Sequence, residues 1–77
     1  MAAFGMSGLI KRSFSLAGHR TSVALEDSFW SALAEIAQHR GQSLSALVAA
    51  IDAERKPDQP LASALRVQAL TAFRSAR

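Results

Sequence analysis

Cysteine is absent from the 77 residues. That removes any disulfide framework, thiolate metal site or catalytic thiol. Aromatic residues make up only 6% of the chain, and the 49% hydrophobic share leans on alanine, which buries little area per side chain. Charged residues are also scarce, at 19%. Such a chain is too apolar to stay disordered, yet it has few large side chains for a core. The length allows one small domain. A core of this size rarely supplies more than ~3–5 kcal/mol net without a staple. With no disulfide and no evident metal, the remaining staple is another chain, so a homo-oligomer is the first expectation.

Long apolar runs are missing too. Met1–Ile10 is uncharged but far short of the ~20 residues that span a bilayer, so no membrane association is expected. A secretory signal carries its positive charges before the apolar run, whereas Lys11 and Arg12 follow it. The first twenty residues are basic, contain serine and lack acid, as in an organelle transit peptide, but they run straight into a structured motif. A cytoplasmic protein is expected. The two histidines, His19 and His39, have no carboxylate beside them at metal-ligand spacing, so neither a metal nor another cofactor is expected. Ser28, Ser31, Ser43 and Ser45 lack a nucleophile-elbow context, and there is no paired-carboxylate site or glycine-rich phosphate loop. Catalysis has no support.

What is present is an uneven distribution of charge. The net charge is +3. Lys11, Arg12 and Arg20 in the first third and Arg66, Arg74 and Arg77 in the last segment stand without any acid. The middle holds Glu26, Asp27, Glu35, Asp52, Glu54 and Asp58 against Arg40, Arg55 and Lys56. If the fold joins the two ends, they form one positive face suited to a polyanion such as nucleic acid.

The pattern along the chain divides it into segments. Residues 1–12 show no periodicity and read as a flexible basic arm. Phe14 and Leu16 alternate with Ser13 and Ser15, and Ala17-Gly18 interrupts. Alternation then resumes, with Thr21, Val23 and Leu25 on one face and Arg20, Ser22 and Ala24 on the other, which predicts a strand over Arg20–Leu25. At Glu26 the period changes. Phe29, Trp30, Leu33, Ile36 and Ala37 form one stripe of a helix over Glu26–Arg40, with acids in its first turn and Gly41 at its end. Ser43 is a suitable N-cap for a second helix carrying Leu44, Leu47, Val48 and Ile51. Pro57-Asp58-Gln59-Pro60 is a stiff linker, and residues 61–77 hold a third amphipathic helix with Leu61, Leu65, Leu70 and Phe73. The core domain thus spans 13–56, the linker 57–60.

A lone strand leaves both of its edges unpaired. Phe14–Leu16 is a short candidate for folding back on Arg20–Leu25. Antiparallel pairing with a second copy across a twofold axis also supplies the missing half of the core, and fits better.

Together, Arg20-Thr21-Ser22-Val23-Ala24-Leu25, the acidic start Glu26-Asp27, the Phe29/Trp30/Leu33/Ile36/Ala37 stripe and Gly41-Gln42-Ser43-Leu44-Ser45-Ala46-Leu47 resemble the ribbon-helix-helix (Arc/MetJ-type) DNA-binding fold over Arg20–Ile51. With Lys11-Arg12-Ser13, Ala17-Gly18-His19 and Ser63-Ala64-Leu65-Arg66, the chain is similar to a bacterial subfamily with a C-terminal extension. The resemblance implies a mainly α fold with one short strand: an intertwined homodimer, an intersubunit antiparallel β-ribbon, and a third helix. The dimer core would be Val23, Leu25, Phe29, Trp30, Leu33, Ile36, Leu44, Leu47, Val48 and Ile51.

The implied function is a small bacterial transcriptional repressor acting at the nucleoid, which inserts its ribbon in the major groove of double-stranded DNA. Base contacts would come from Arg20, Ser22 and Ala24. Arg20 suits a bidentate contact to guanine, Ser22 offers weak selectivity, and Ala24 reaches at most a thymine methyl. Phosphate contacts would come from Lys11, Arg12 and His19 before the ribbon, and from Ser43, Leu44 and Ser45 at the second helix start. Pairs of dimers on one operator are typical of the family. Two rival readings remain. One is an antitoxin-like or adaptor dimer whose C-terminal helix docks on a protein partner. The other, prompted by the small Ser22 and Ala24, is a family member that has lost DNA binding.

Overall fold

The computed structural model describes residues 8–75. Residues 1–7 of the expected arm and 76–77 of the expected last helix lie outside the described residues. The order is strand β1 (Leu9–Leu16), strand β2 (His19–Glu26), helix α1 (Asp27–His39), helix α2 (Leu44–Glu54) and helix α3 (Leu61–Ser75).

The expectation of one short strand is corrected: the described residues hold two, of eight residues each, and Arg20–Leu25 is paired antiparallel within its own chain. β1 extends the Phe14–Leu16 segment back to Leu9, through Lys11 and Arg12 of the expected arm. The connection is two residues long. Ala17 (φ 52°) and Gly18 (φ 84°) both lie in the left-handed region, the combination of a type I′ turn. Its twist matches that of the flanking strands, which is why so short a link closes the hairpin. Gly18 adopts that φ at no steric cost, but Ala17 pays roughly 1 kcal/mol for it. Ala17→Asn, which tolerates the same conformation, is therefore expected to stabilise the chain by about 0.5–1 kcal/mol, visible as a raised urea midpoint.

The hairpin buries one face. Phe14 and Leu16 of β1 and Val23 and Leu25 of β2 are buried, each pair two residues apart as the pleat requires. α2 packs beneath β1, whereas α1 and α3 lie beneath β2, and the three helices touch one another. Among the residues expected in the core, Val23, Leu25, Trp30, Leu33, Leu47, Val48 and Ile51 are buried, while Phe29, Ile36 and Leu44 are half-buried. Phe14, Leu16, Ala37, Ala64, Leu65 and Ala69 complete the core.

The helix ends follow local chemistry. Glu26 is the N-cap residue of α1 rather than part of its first turn, and its side chain makes no cap bond. At the other end the N–H of Gly41 (φ 67°) donates to the Gln38 carbonyl at 3.1 Å, and that of Gln42 to the Ala37 carbonyl at 2.9 Å, a Schellman closure that turns the chain directly into α2. Ser43 Oγ accepts from the Ala46 N–H at 3.0 Å. After α2, Arg55 Nε donates to Asp52 Oδ1 at 2.8 Å and Arg55 Nη1 to the Gln59 carbonyl at 2.7 Å, tying the 55–60 turn to the helix it leaves.

α3 differs from its expected stripe. Its buried residues are Ala64, Leu65 and Ala69, while Leu70 and Phe73, expected inward, are exposed. Alanine at two of the three buried positions leaves Leu65 and the half-buried Leu61 as the bulk between α3 and its neighbours, while Val67, Leu70 and Phe73 are turned outward.

Candidate nucleic-acid interface

The register of the hairpin assembles one polar face. Ser15 pairs with Arg20, Ser13 with Ser22 and Lys11 with Ala24, and by strand parity all six point away from the helices. A two-residue turn makes its flanking pair, Leu16 and His19, a hydrogen-bonded pair. Alternation then makes the three outward pairs the non-hydrogen-bonded kind, whose side chains stand closest together. The contacts agree. Ser13 Oγ and Ser22 Oγ share a hydrogen bond at 3.1 Å, and Arg20 Nη1 donates to Ser15 Oγ at 3.3 Å. Lys11, Ser13, Ser15, Arg20 and Ser22 are exposed and Ala24 is half-buried. From Lys11 to Ala24 this face holds two cations, three hydroxyls and no acid. A surface of that kind is extended and able to donate to phosphate or base-edge acceptors.

Arg20, Ser22 and Ala24 therefore share the outward face of β2, as their alternation predicts, and Lys11 joins them from β1. Arg12 and His19 do not. Both have the opposite parity, and the Arg12 guanidinium lies over the Trp30 ring, 5.4 Å from its centroid. Ser43, Leu44 and Ser45 sit on a separate element at the start of α2. There the Ser43 hydroxyl is engaged by the Ala46 N–H, and the amides of Leu44 and Ser45 precede the helix's own hydrogen-bond ladder. Ser13 and Ser15 were not among the expected contacts. Their alternation with Phe14 and Leu16 is visible in the sequence, but only the pairing with β2 shows that they share a surface with Arg20.

The end of the ribbon is fixed to the third helix. Arg66 of α3 donates from Nε and Nη2 to Glu26 Oε1 at 3.1 and 3.0 Å, and its guanidinium lies over the Phe29 ring at 5.7 Å. Glu26's own backbone N–H and then Arg66 hold its carboxyl below the ordinary carboxylate range. With a depressed folded-state pKa, whatever this pair adds to stability is present above the unfolded-state value and is lost as the pH falls through the folded one. Both side chains are more than a third exposed, so the pair acts as a positioning contact, screened by solvent.

No described helix is long and apolar enough to cross a membrane. A hairpin followed directly by two helices joined through a glycine turn has the element order of a ribbon and two helices. The family comparison agrees, with a ribbon-helix-helix domain matching residues 9–73. The chain belongs to the ribbon-helix-helix family, and the match takes in β1 and α3 as well as the strand and two helices between them. Neither a curated protein nor a solved structure matches the chain. Ribbon-helix-helix domains are typically non-enzymatic and generally bind DNA as dimers, in transcription-factor or antitoxin roles.

Proposed function

We propose that this chain is a homodimeric regulator of transcription, a repressor that reads duplex DNA with the outward face of its hairpin. The observation that carries this reading is the acid-free surface of Lys11, Ser13, Ser15, Arg20, Ser22 and Ala24 within a ribbon-helix-helix domain. The intrachain hairpin leaves room for an intersubunit ribbon. Among the described residues β1 occupies one edge of β2 only, and the non-hydrogen-bonded positions Arg20, Ser22 and Ala24 turn their backbone N–H and C=O groups to the other edge. Two copies joined there make a four-stranded sheet with β2 and its twin at the centre. At about 4.8 Å per strand, the outer strands stand about 14 Å apart. The major groove is about 12 Å wide. The central pair then enters the groove, Arg20 reaches base edges, and Lys11 on the outer strand comes over the phosphates.

Fluorescence anisotropy against genomic fragments at several salt concentrations tests this. The parent chain is expected to bind with an affinity that falls steeply with salt. Arg20→Ala should weaken specific binding by about 1–3 kcal/mol. Lys11→Ala should weaken all sequences alike and reduce the salt slope by about one. Equal affinity of parent and Arg20→Ala for every fragment would refute groove readout by this face. A protein-docking role, antitoxin-like or adaptor, is the second reading. Its support is the exposed apolar side of α3, where Val67, Leu70 and Phe73 face outward.

A further inference from the structure

α3 buries two alanines and one leucine while Val67, Leu70 and Phe73 remain 53%, 57% and 46% exposed. Beside this ridge, two hollows lie between α1 and α3. One, of about 220 Å³, is lined by Phe29, Ala32, Ala69, Leu70 and Phe73; the other, of about 310 Å³, by Ile36 and Phe73 among others. Phe73 lines both, so the two adjoin in a groove that is apolar at its Phe29 end and also carries Glu35, His39 and Arg40 at its Ile36 end. α1 and α3 run along it in the same direction: Arg66 meets Phe29 near its start, and Phe73 meets Ile36, seven residues further along each helix. An exposed apolar ridge beside an apolar hollow on a small domain marks a contact site.

We propose that a second copy of this chain covers the groove. Its α3 lies antiparallel to the first, and Leu70 and Phe73 of each copy fill the groove of the other. The inference rests on the dimer of the functional reading and assigns that dimer a second contact surface. Three observations select this occupant. The ridge and the groove adjoin on one face, so the surface is self-complementary, as a twofold interface requires. The charges are complementary as well. Because α1 and α3 are parallel within a copy, the antiparallel arrangement brings the basic end of each α3, at Arg74, to the acidic start of the other α1, at Asp27. The surfaces are also continuous. The groove lies on the β2 side of the sheet, where the free strand edge is.

Sedimentation equilibrium of the full chain tests this with Leu70→Glu, Phe73→Glu, Asp27→Arg, Arg74→Asp and the double charge swap. Leu70 and Phe73 are exposed within one copy, so their variants should keep the fold by circular dichroism. Each glutamate variant is expected to raise the dimer dissociation constant roughly thirtyfold or more, the effect of losing a buried anchor. Each single charge variant should raise it about fivefold, and the double swap should bring it back to within about twofold of the parent. A chain that dimerises in this way but binds no DNA would leave the inference standing and remove the functional reading. A chain that binds DNA while both glutamate variants associate like the parent would remove the inference alone. A parent that is a folded monomer at micromolar concentration, or a charge swap that restores nothing, would also overturn it.

Discussion

Trp30→Ala is expected to leave the chain largely unfolded at room temperature. Trp30 is 2% exposed and touches the hairpin at three places. Its Nε1–H donates to the Ile10 carbonyl at 2.8 Å, its ring meets that of Phe14 at 5.8 Å between centroids, and the Arg12 guanidinium covers it from β1. Truncating a buried tryptophan to alanine costs about 3–5 kcal/mol, and the lost hydrogen bond is worth about 1 kcal/mol more. A domain this size holds about 4–12 kcal/mol in total, and a core rich in alanine belongs near the lower end. Trp30→Phe separates the two parts, since it keeps most of the apolar surface and deletes only the donor and part of the ring. It should cost about 1–2 kcal/mol. Urea unfolding followed by far-UV circular dichroism measures both. A cooperative Trp30→Ala transition within about 1 kcal/mol of the parent would show that α1 does not hold β1 through this residue.

The same residue explains why β1 was hard to read. An eight-residue strand that buries one face should alternate apolar and polar residues, and from Ser13 to Leu16 this one does. Further back, the inward position between Ile10 and Phe14 is Arg12, a charge where the pattern asks for an apolar side chain. Its place over the Trp30 ring makes that position tolerable, and no local pattern reveals a partner eighteen residues away. The turn gave little help. Type I′ turns are announced by Asn-Gly or Asp-Gly, and here alanine occupies the first left-handed position. By contrast, β2, α1 and α2 follow signals that act over a few residues: β-branched alternation, the Phe29–Ala37 stripe, Gly41 and the Ser43 cap. Each of these elements lies within two residues of where those signals put it.

The candidate interface was legible to a similar degree and for the same reason. Parity alone put Arg20, Ser22 and Ala24 on one face, because parity is a property of a single strand. Adding Lys11, Ser13 and Ser15 to that face needed the register between strands, and separating Lys11 from Arg12 needed the extension of β1 back to Leu9, neither of which the local pattern contains. For α3 half of the expected stripe holds. Leu61 and Leu65 pack on the core, but leucine and phenylalanine outweigh alanine in any hydrophobic pattern, so Leu70 and Phe73 read as inward where Ala64 and Ala69 are buried instead.

Leu65→Ala decides what α3 is for within one copy. Leu65 is the one fully buried large side chain of α3, and Leu61, one turn earlier, is half-buried against the core. With Ala64 and Ala69 beside it, there is little nearby bulk to collapse into the space it leaves, so the cost should fall in the upper half of the range of about 2–5 kcal/mol for leucine truncation. The form of the transition matters as much as its size. If α3 is integral to the core, urea unfolding of the parent is a single step in which Trp30 fluorescence and helical circular dichroism change together, and Leu65→Ala shifts both curves equally. If α3 is a docked appendage, Leu65→Ala detaches it alone. Helical signal is then lost in an early step while Trp30 fluorescence keeps the parent's midpoint. The contacts favour the first outcome, because α3 touches α1, α2 and β2 and holds the end of the ribbon through Arg66 and Glu26. In that case β1 and α3 are as necessary to the fold as the strand and two helices between them, and a chain truncated at the 57–60 turn should fail to fold.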